Sequence, residues 1–214
     1  MKFKSYLFDF DGTLVDSMPS YIRAMLRILD DADVRYEDDI IKTITPLGYL
    51  GTANYYREHY GLKDDADSIV RAMKKYAFDE YAYTIPEKAG VKKTLKRLKD
   101  GGADLHILTA SPHEVLDVCL RRLGMAELFT NIWSCDDFGT GKSDPDIYVR
   151  AAEKIGRPIG EVLFLDDNLN AVKTARSAGM SVCGVYDPSS DGYVDEMKAA
   201  TDYYIFKMSE ILKI

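Results

Sequence analysis

Cysteine is scarce in this 214-residue chain. The three present, Cys119, Cys135 and Cys183, are odd in number, far apart and in no CxxC pair. That argues against a disulfide framework or a cysteine-built zinc site and fits reduced thiols in a cytoplasmic protein. Histidine offers no metal spacing either: His59, His106 and His113 are isolated, and His106 lies within an apolar run, as a core or sheet residue would. Long hydrophobic runs are missing. No stretch approaches the roughly 20 apolar residues of a membrane span. The run after Lys2 and Lys4 is broken by Asp9 and Asp11 before a signal-peptide core can form. Positive charge is in deficit, with 28 Lys+Arg against 35 Asp+Glu and a formal charge of −7. Such a chain lacks the basic face that nonspecific nucleic-acid binding or an anionic membrane surface requires, so neither is expected as a partner. No internal repeat or low-complexity tract is present, and the sequence leaves the oligomeric state open.

What is present is an ordinary globular composition, 46% hydrophobic and 29% charged. At roughly 150 residues per domain the length suits one domain or one and a half. Short, nearly continuous apolar runs recur at Tyr6-Leu7-Phe8, Leu105-His106-Ile107-Leu108 and Val162-Leu163-Phe164-Leu165, with weaker ones at 181–185 and 203–206. Runs of this kind suit strands buried on both faces of a parallel sheet. Helical patterns alternate with them: Val91, Leu95 and Leu98; Val115, Leu116, Cys119, Leu120 and Leu123; Ala171, Val172, Ala175 and Ala178. Ser111-Pro112-His113-Glu114 reads as a capping box, Asp144-Pro145 as a second helix start, and Gly124 and Gly179 as helix ends. This alternation predicts an α/β fold with a Rossmann-like parallel sheet.

Residues 17–83 break the alternation. Ile22, Met25, Leu26 and Leu29 have helical spacing, Ile40, Ile41 and Ile44 suggest a second helix, and Ile69, Met73 and Tyr76 a third, with breakers at Pro46, Gly48, Gly51 and Gly61. No strand run is evident, and tyrosines concentrate here, as a small core of their own. The segment is therefore expected to be an all-helical module inserted after the first strand, with residues 1–16 and 84–214 forming the sheet domain.

In an open parallel sheet, ligands bind at the carboxyl ends of the strands. The apolar runs are followed there by Asp9-Phe10-Asp11-Gly12-Thr13, by Thr109-Ala110-Ser111 and by Asp166-Asp167-Asn168, while Gly141-Lys142-Ser143 comes after Ile132-Trp133 and a short loop. Converging carboxylates repel one another by several kcal/mol in a partly dry crevice unless something neutralises them. Hard oxygen donors with room for water and phosphate oxygens suit Mg²⁺. Lys142 supplies a compact positive charge and Thr109 a neutral donor, as a phosphoryl group requires. Asp9 can attack phosphorus as a nucleophile, and Asp11, two residues on, can protonate the leaving alkoxide and later activate water.

Asp9-Phe10-Asp11-Gly12-Thr13, Thr109, Lys142 and Asp166-Asp167, in that order, resemble the four motifs of the haloacid dehalogenase (HAD) superfamily, and the inserted segment resembles the small helical cap of its phosphoglycolate phosphatase and β-phosphoglucomutase branches. The resemblance spans nearly the whole chain, although Ser143 stands where relatives often have proline. It implies Asp9 as nucleophile and Asp11 as general acid/base. It implies Thr109, Ala110 and Lys142 as the phosphoryl-binding residues, and Asp9, the Asp11 carbonyl and Asp167 as the Mg²⁺ site with Asp166 in support. The function implied is a Mg²⁺-dependent phosphatase acting on a small phosphorylated metabolite.

Three alternatives share these ingredients. A phosphosugar mutase of the β-phosphoglucomutase type has the same four motifs and differs in excluding water. A receiver-like signalling domain also combines an acidic pair, a phosphorylated Asp, a Thr and a Lys, but there the pair comes first. Halide displacement needs neither Asp11 nor a metal. Gly139-Thr140-Gly141-Lys142-Ser143 is not a nucleotide P-loop, because Asp136 stands where the first glycine is required. Ser111 is read as a helix cap without a catalytic role, and Tyr49 and Asn54 as candidates for substrate selection.

Overall fold

The computed structural model describes residues 2–37 and 39–214. The chain divides into two compact units, Met1–Asp16 with Pro86–Ile214, and Ser17–Ile85. In chain order the elements are β1 (Ser5–Phe8); α1 (Met18–Asp31), α2 (Ile40–Ile44), α3 (Gly48–His59) and α4 (Ala66–Asp79); then α5 (Val91–Asp100), β2 (Asp104–Thr109), α6 (His113–Leu123), β3 (Asn131–Ser134), α7 (Asp146–Ile155), β4 (Val162–Asp166), α8 (Leu169–Ser177), β5 (Ser181–Val185), α9 (Val194–Ala200) and β6 (Tyr203–Ile205).

The first unit is an α/β, Rossmann-like fold. Its six strands run parallel in the order β3-β2-β1-β4-β5-β6. β1 is central: Phe8 pairs with Ile107 of β2 on one side and with Leu165 of β4 on the other. Every residue of β1 and of β4 is buried, which is why these strands read as continuous apolar runs rather than alternating ones. Leu7, Leu108 and Phe164 pack with Ile147 and Tyr148 of α7 and Val172 of α8 in one core. The strand order reverses between β1 and β4, and the carboxyl ends on either side of that reversal carry Asp9 and Asp166-Asp167. A crevice for ligands belongs at such a point.

Helix ends in this unit follow local chemistry, with two departures from the sequence pattern. Gly124 caps α6 in the left-handed conformation (φ 62°), and Asn168 caps α8 by accepting from the amides of Asn170 and Ala171. α6 begins at His113 with Pro112 as its cap, and Ser111 makes no cap bond there. Asp144 stands one residue outside the cap of α7, yet its Oδ1 still accepts the Asp146 N–H at 3.0 Å.

The second unit is all-helical. Met25, Leu29, Ile44, Tyr56 and Met73 are fully buried at its centre, and Tyr21, Tyr36, Tyr49, Tyr55, Tyr60 and Tyr76 pack around them. α3 occupies the stretch where Gly48 and Gly51 read as breakers. Burial of Thr52, Ala53 and Tyr56 on one face outweighs glycine's poor propensity there. Gly51 also has a steric reason, since a Cβ at that position would lie 2.9 Å from Leu47 Cβ. Among the described residues no helix is long and apolar enough to cross a membrane.

Candidate active site

Asp9 leaves the end of β1 with its amide donating to the Leu165 carbonyl of β4 at 2.8 Å. The chain then folds into a tight turn, with Leu14 N and Val15 N both donating to the Phe10 carbonyl and Gly12 N to the Val15 carbonyl. Gly12 is required at its apex. Its φ is +76°, and a Cβ there would lie 2.5 Å from Asp167 Oδ2. The turn is thus pressed against the carboxylate that follows β4, and Thr13 Oγ1 donates to Asp167 Oδ1 at 2.9 Å.

Among the described residues, Asp9, Asp166 and Asp167 form a group whose carboxylate oxygens lie within 4.8 Å of one another, all buried. The Lys142 ammonium, 14% exposed, donates to both Asp9 and Asp166 Oδ2. The second oxygen of Asp166 accepts the Asn168 N–H at 2.7 Å, so both oxygens of that carboxylate have a protein donor. Lys142 itself is held by its backbone: Tyr148, buried on α7, donates its hydroxyl to the Lys142 carbonyl at 3.0 Å. Thr109, 1% exposed at the end of β2, accepts the Ser111 N–H on its hydroxyl at 3.0 Å. Ala110 is exposed between them.

The electrostatics show one ammonium facing three carboxylates. Burial lowers the Lys142 affinity for its proton, but Asp166 and Asp9 outweigh it and hold the ammonium charged well above the ordinary lysine range. Burial pushes the Asp9 carboxyl well up, against the pull of Lys142 and with the repulsion of Asp166, Asp167 and Asp11 adding to it. Burial, and then Asp166, push Asp167 up to about 7 in spite of the Thr13 hydrogen bond. A hard divalent cation on Asp9 and Asp167 would satisfy this excess of negative oxygen. The donor set therefore fits Mg²⁺.

The structure brings together Asp9, Lys142, Asp166 and Asp167 directly, and sets Asp11 on the turn after β1 and Thr109 at the end of β2. Tyr49 and Asn54 lie in the helical unit, Tyr49 with its ring centroid 5.3 Å from that of Tyr21 and Asn54 exposed on α3. Three residues given no catalytic or binding role from the sequence join the site's framework. Ser111 Oγ donates to Asp11 Oδ2 at 2.5 Å. Thr13 holds Asp167, as above. Lys88 donates to the Gly12 carbonyl at 2.5 Å, the Tyr186 carbonyl at 2.8 Å and Asp187 Oδ2 at 2.9 Å. Thr13 could have been found from its place in the first motif. Lys88, alone among charged residues near a chain reversal, carries no readable signal.

The model of the haloacid dehalogenase-like hydrolases matches residues 3–179 of the chain. The protein belongs to that family. This hydrolase is 27% identical to a phosphorylated carbohydrates phosphatase of Thermotoga maritima, over 99% of the chain and 97% of the relative. It is 26% identical to the pyrophosphatase PpaX of Bacillus velezensis, over 97% and 94% respectively. Among solved structures, a Thermotoga maritima protein provisionally assigned as a β-phosphoglucomutase superposes with a TM-score of 0.88 at 25% identity, covering 98% of this chain and 97% of that one. A predicted phosphoglycolate phosphatase from Haemophilus somnus shares the fold at a TM-score of 0.83 and 23% identity, covering 100% and 98%.

Proposed function

We propose that this enzyme is a Mg²⁺-dependent phosphatase of small phosphorylated metabolites, working through an aspartyl-phosphate on Asp9. The observation that carries the reading is the Asp9–Lys142–Asp166–Asp167 cluster, a buried nucleophile beside a fixed ammonium at the strand-order reversal.

In this reading Lys142, the Thr109 hydroxyl and the Ala110 N–H hold the phosphoryl oxygens, where fixed donors stabilise the charge that develops. An Asp9 oxygen attacks phosphorus as the ester P–O bond breaks, and the departing oxygen takes the Asp11 proton. Asp11, now a carboxylate, takes a proton from water as that water attacks the same phosphorus. The Asp9 O–P bond then breaks and inorganic phosphate leaves. Asp166 serves as the partner of Lys142. Asp9, Asp167 and the Asp11 carbonyl would hold Mg²⁺, which would supply charge neutralisation between the nucleophile and the phosphate.

The similarity to a phosphorylated carbohydrates phosphatase and to a pyrophosphatase supports phosphoryl transfer to water and makes phosphorylated carbohydrates the first substrates to try. The helical unit Ser17–Ile85 is assigned the role of cap, with Tyr49 and Asn54 as substrate-selecting candidates. Three buried cysteines without disulfides fit a reducing, cytoplasmic location. Likeness to the β-phosphoglucomutase-assigned structure favours a mutase as second reading.

The test is phosphate release from a panel of phosphomonoesters in Mg²⁺, with Asp9→Asn alongside. Hydrolysis abolished in that variant, with an unchanged circular dichroism spectrum, is the expected result; near-full activity would sink the nucleophile assignment. Conversion of glucose 1-phosphate to glucose 6-phosphate without free phosphate, given a bisphosphate primer, would select the mutase.

A further inference from the structure

Ser111 occupies a place that helix chemistry does not explain. Ser-Pro before a helix ordinarily supplies a cap, yet the Ser111 hydroxyl makes no bond to α6 and donates instead across to Asp11 Oδ2 at 2.5 Å, from the end of β2 to the end of β1. Ser111 is itself held: its amide donates to Thr109 Oγ1 at 3.0 Å, and Pro112 follows at φ −69°. The Asp11 backbone is fixed by the turn from Phe10 to Val15. A half-buried carboxyl on a rigid turn is thus tied to a hydroxyl on a second rigid turn.

We propose that Ser111 is a positioning residue for the acid/base step, holding the plane of the Asp11 carboxyl so that its proton faces the departing oxygen. The proposal rests on the phosphatase reading above. A hydroxyl donating to Oδ2 makes that oxygen an acceptor in both protonation states of Asp11. The acid proton is then carried by Oδ1, passes to the ester oxygen as P–O breaks, and is replaced from the attacking water. Ser111 neither gains nor loses a proton over the cycle. Proton transfer in a transition state depends steeply on such alignment.

The experiment is the leaving-group dependence of kcat/KM. p-Nitrophenolate departs as a stable anion and needs little protonation, whereas phenolate needs more and the alkoxide from β-glycerophosphate needs most. Ser111→Ala should lose on the order of 10–100-fold in kcat/KM on β-glycerophosphate, an intermediate amount on phenyl phosphate and several-fold less on p-nitrophenyl phosphate. Ser111→Thr, which keeps the hydroxyl, should restore the wild-type slope. An equal loss on all three substrates, a gain on any, or a raised KM with an unchanged slope would overturn the proposal. Asp9→Asn and Asp11→Asn are run alongside. Activity surviving in Asp9→Asn overturns the underlying phosphatase reading. A wild-type slope in Asp11→Asn overturns the acid role, and with it that of Ser111. If both controls behave and the Ser111→Ala slope stays flat, the positioning proposal alone has failed.

Discussion

Lys142 donates to Asp166 Oδ2 at 2.8 Å, and the remaining oxygen of that carboxylate is taken by the Asn168 amide at 2.7 Å. Asp166 is therefore committed to holding the lysine, and the lysine is left to face Asp9. Lys142→Ala should lower kcat on p-nitrophenyl phosphate on the order of 10²–10³-fold, as when one preorganised oxyanion donor is removed. Lys142→Arg should rescue little, because a planar guanidinium does not reproduce a compact ammonium between two carboxylates. Steady-state kinetics of the two variants checks this.

Lys88 stands behind the Phe10–Val15 turn with three acceptors on its ammonium, and Asp187, 2% exposed, depends on it. Burial raises the Asp187 carboxyl, but Ser189 and Lys88 outweigh it and hold it below the usual range. Its contribution to stability is therefore present above the ordinary aspartate pKa and lost as pH falls through the lower folded value. Lys88→Met should cost about 3–5 kcal/mol at pH 7, the penalty of a buried carboxylate left without its cation. Lys88→Met with Asp187→Asn should recover part of that loss. Urea denaturation at pH 7 measures both.

Asp167, pushed up to about 7 with burial as the main cause, fixes the sign of a metal effect. A raised folded pKa means stability that is full below the ordinary aspartate range and is lost as pH rises toward 7. A divalent cation replaces the proton and removes that loss. The rise in Tm on adding Mg²⁺ should accordingly be larger at pH 8 than at pH 5, as read by scanning fluorimetry, and EDTA should reverse it.

His106, 2% exposed, stacks 6.0 Å from Trp133, and burial lowers its pKa to about 4. Unfolded chains take up this proton near 6.5 and the folded protein only near 4, so stability is present above 6.5 and lost as pH falls between the two. From pH 7 to pH 5 the loss should be about 2 kcal/mol, at about 1.4 kcal/mol per unit. Asp167 shifts stability the other way over the same interval, so the check is the difference between wild type and His106→Phe in how the urea midpoint changes from pH 7 to pH 5.

The sheet was legible because β1, β2 and β4 leave nearly unbroken buried apolar runs, and the two acidic loops of the site follow β1 and β4 directly. Lys142 was legible only by its place in that series. α3 was not, since Gly48 and Gly51 mask a face whose weight lies in Ala53 and Tyr56, buried through tertiary packing. Ser111 misled because Ser-Pro-x-Glu is the ordinary signature of a helix start, and nothing local records that Asp11 lies across the gap between two strands.

The chain leaves the sheet unit after Asp16 and returns at Pro86, and these two residues are hydrogen-bonded, Asp16 N to Pro86 O at 3.0 Å, beside a bridge between Val15 and Glu87. Exit and re-entry thus form a closed gate whose geometry is set by the sheet unit alone. Since the entropy of closing a loop grows only with the logarithm of its length, whatever is threaded through that gate costs the sheet little to carry. A helical insert of different length or sequence should therefore leave Asp9, Lys142 and Asp167 where the strands have put them.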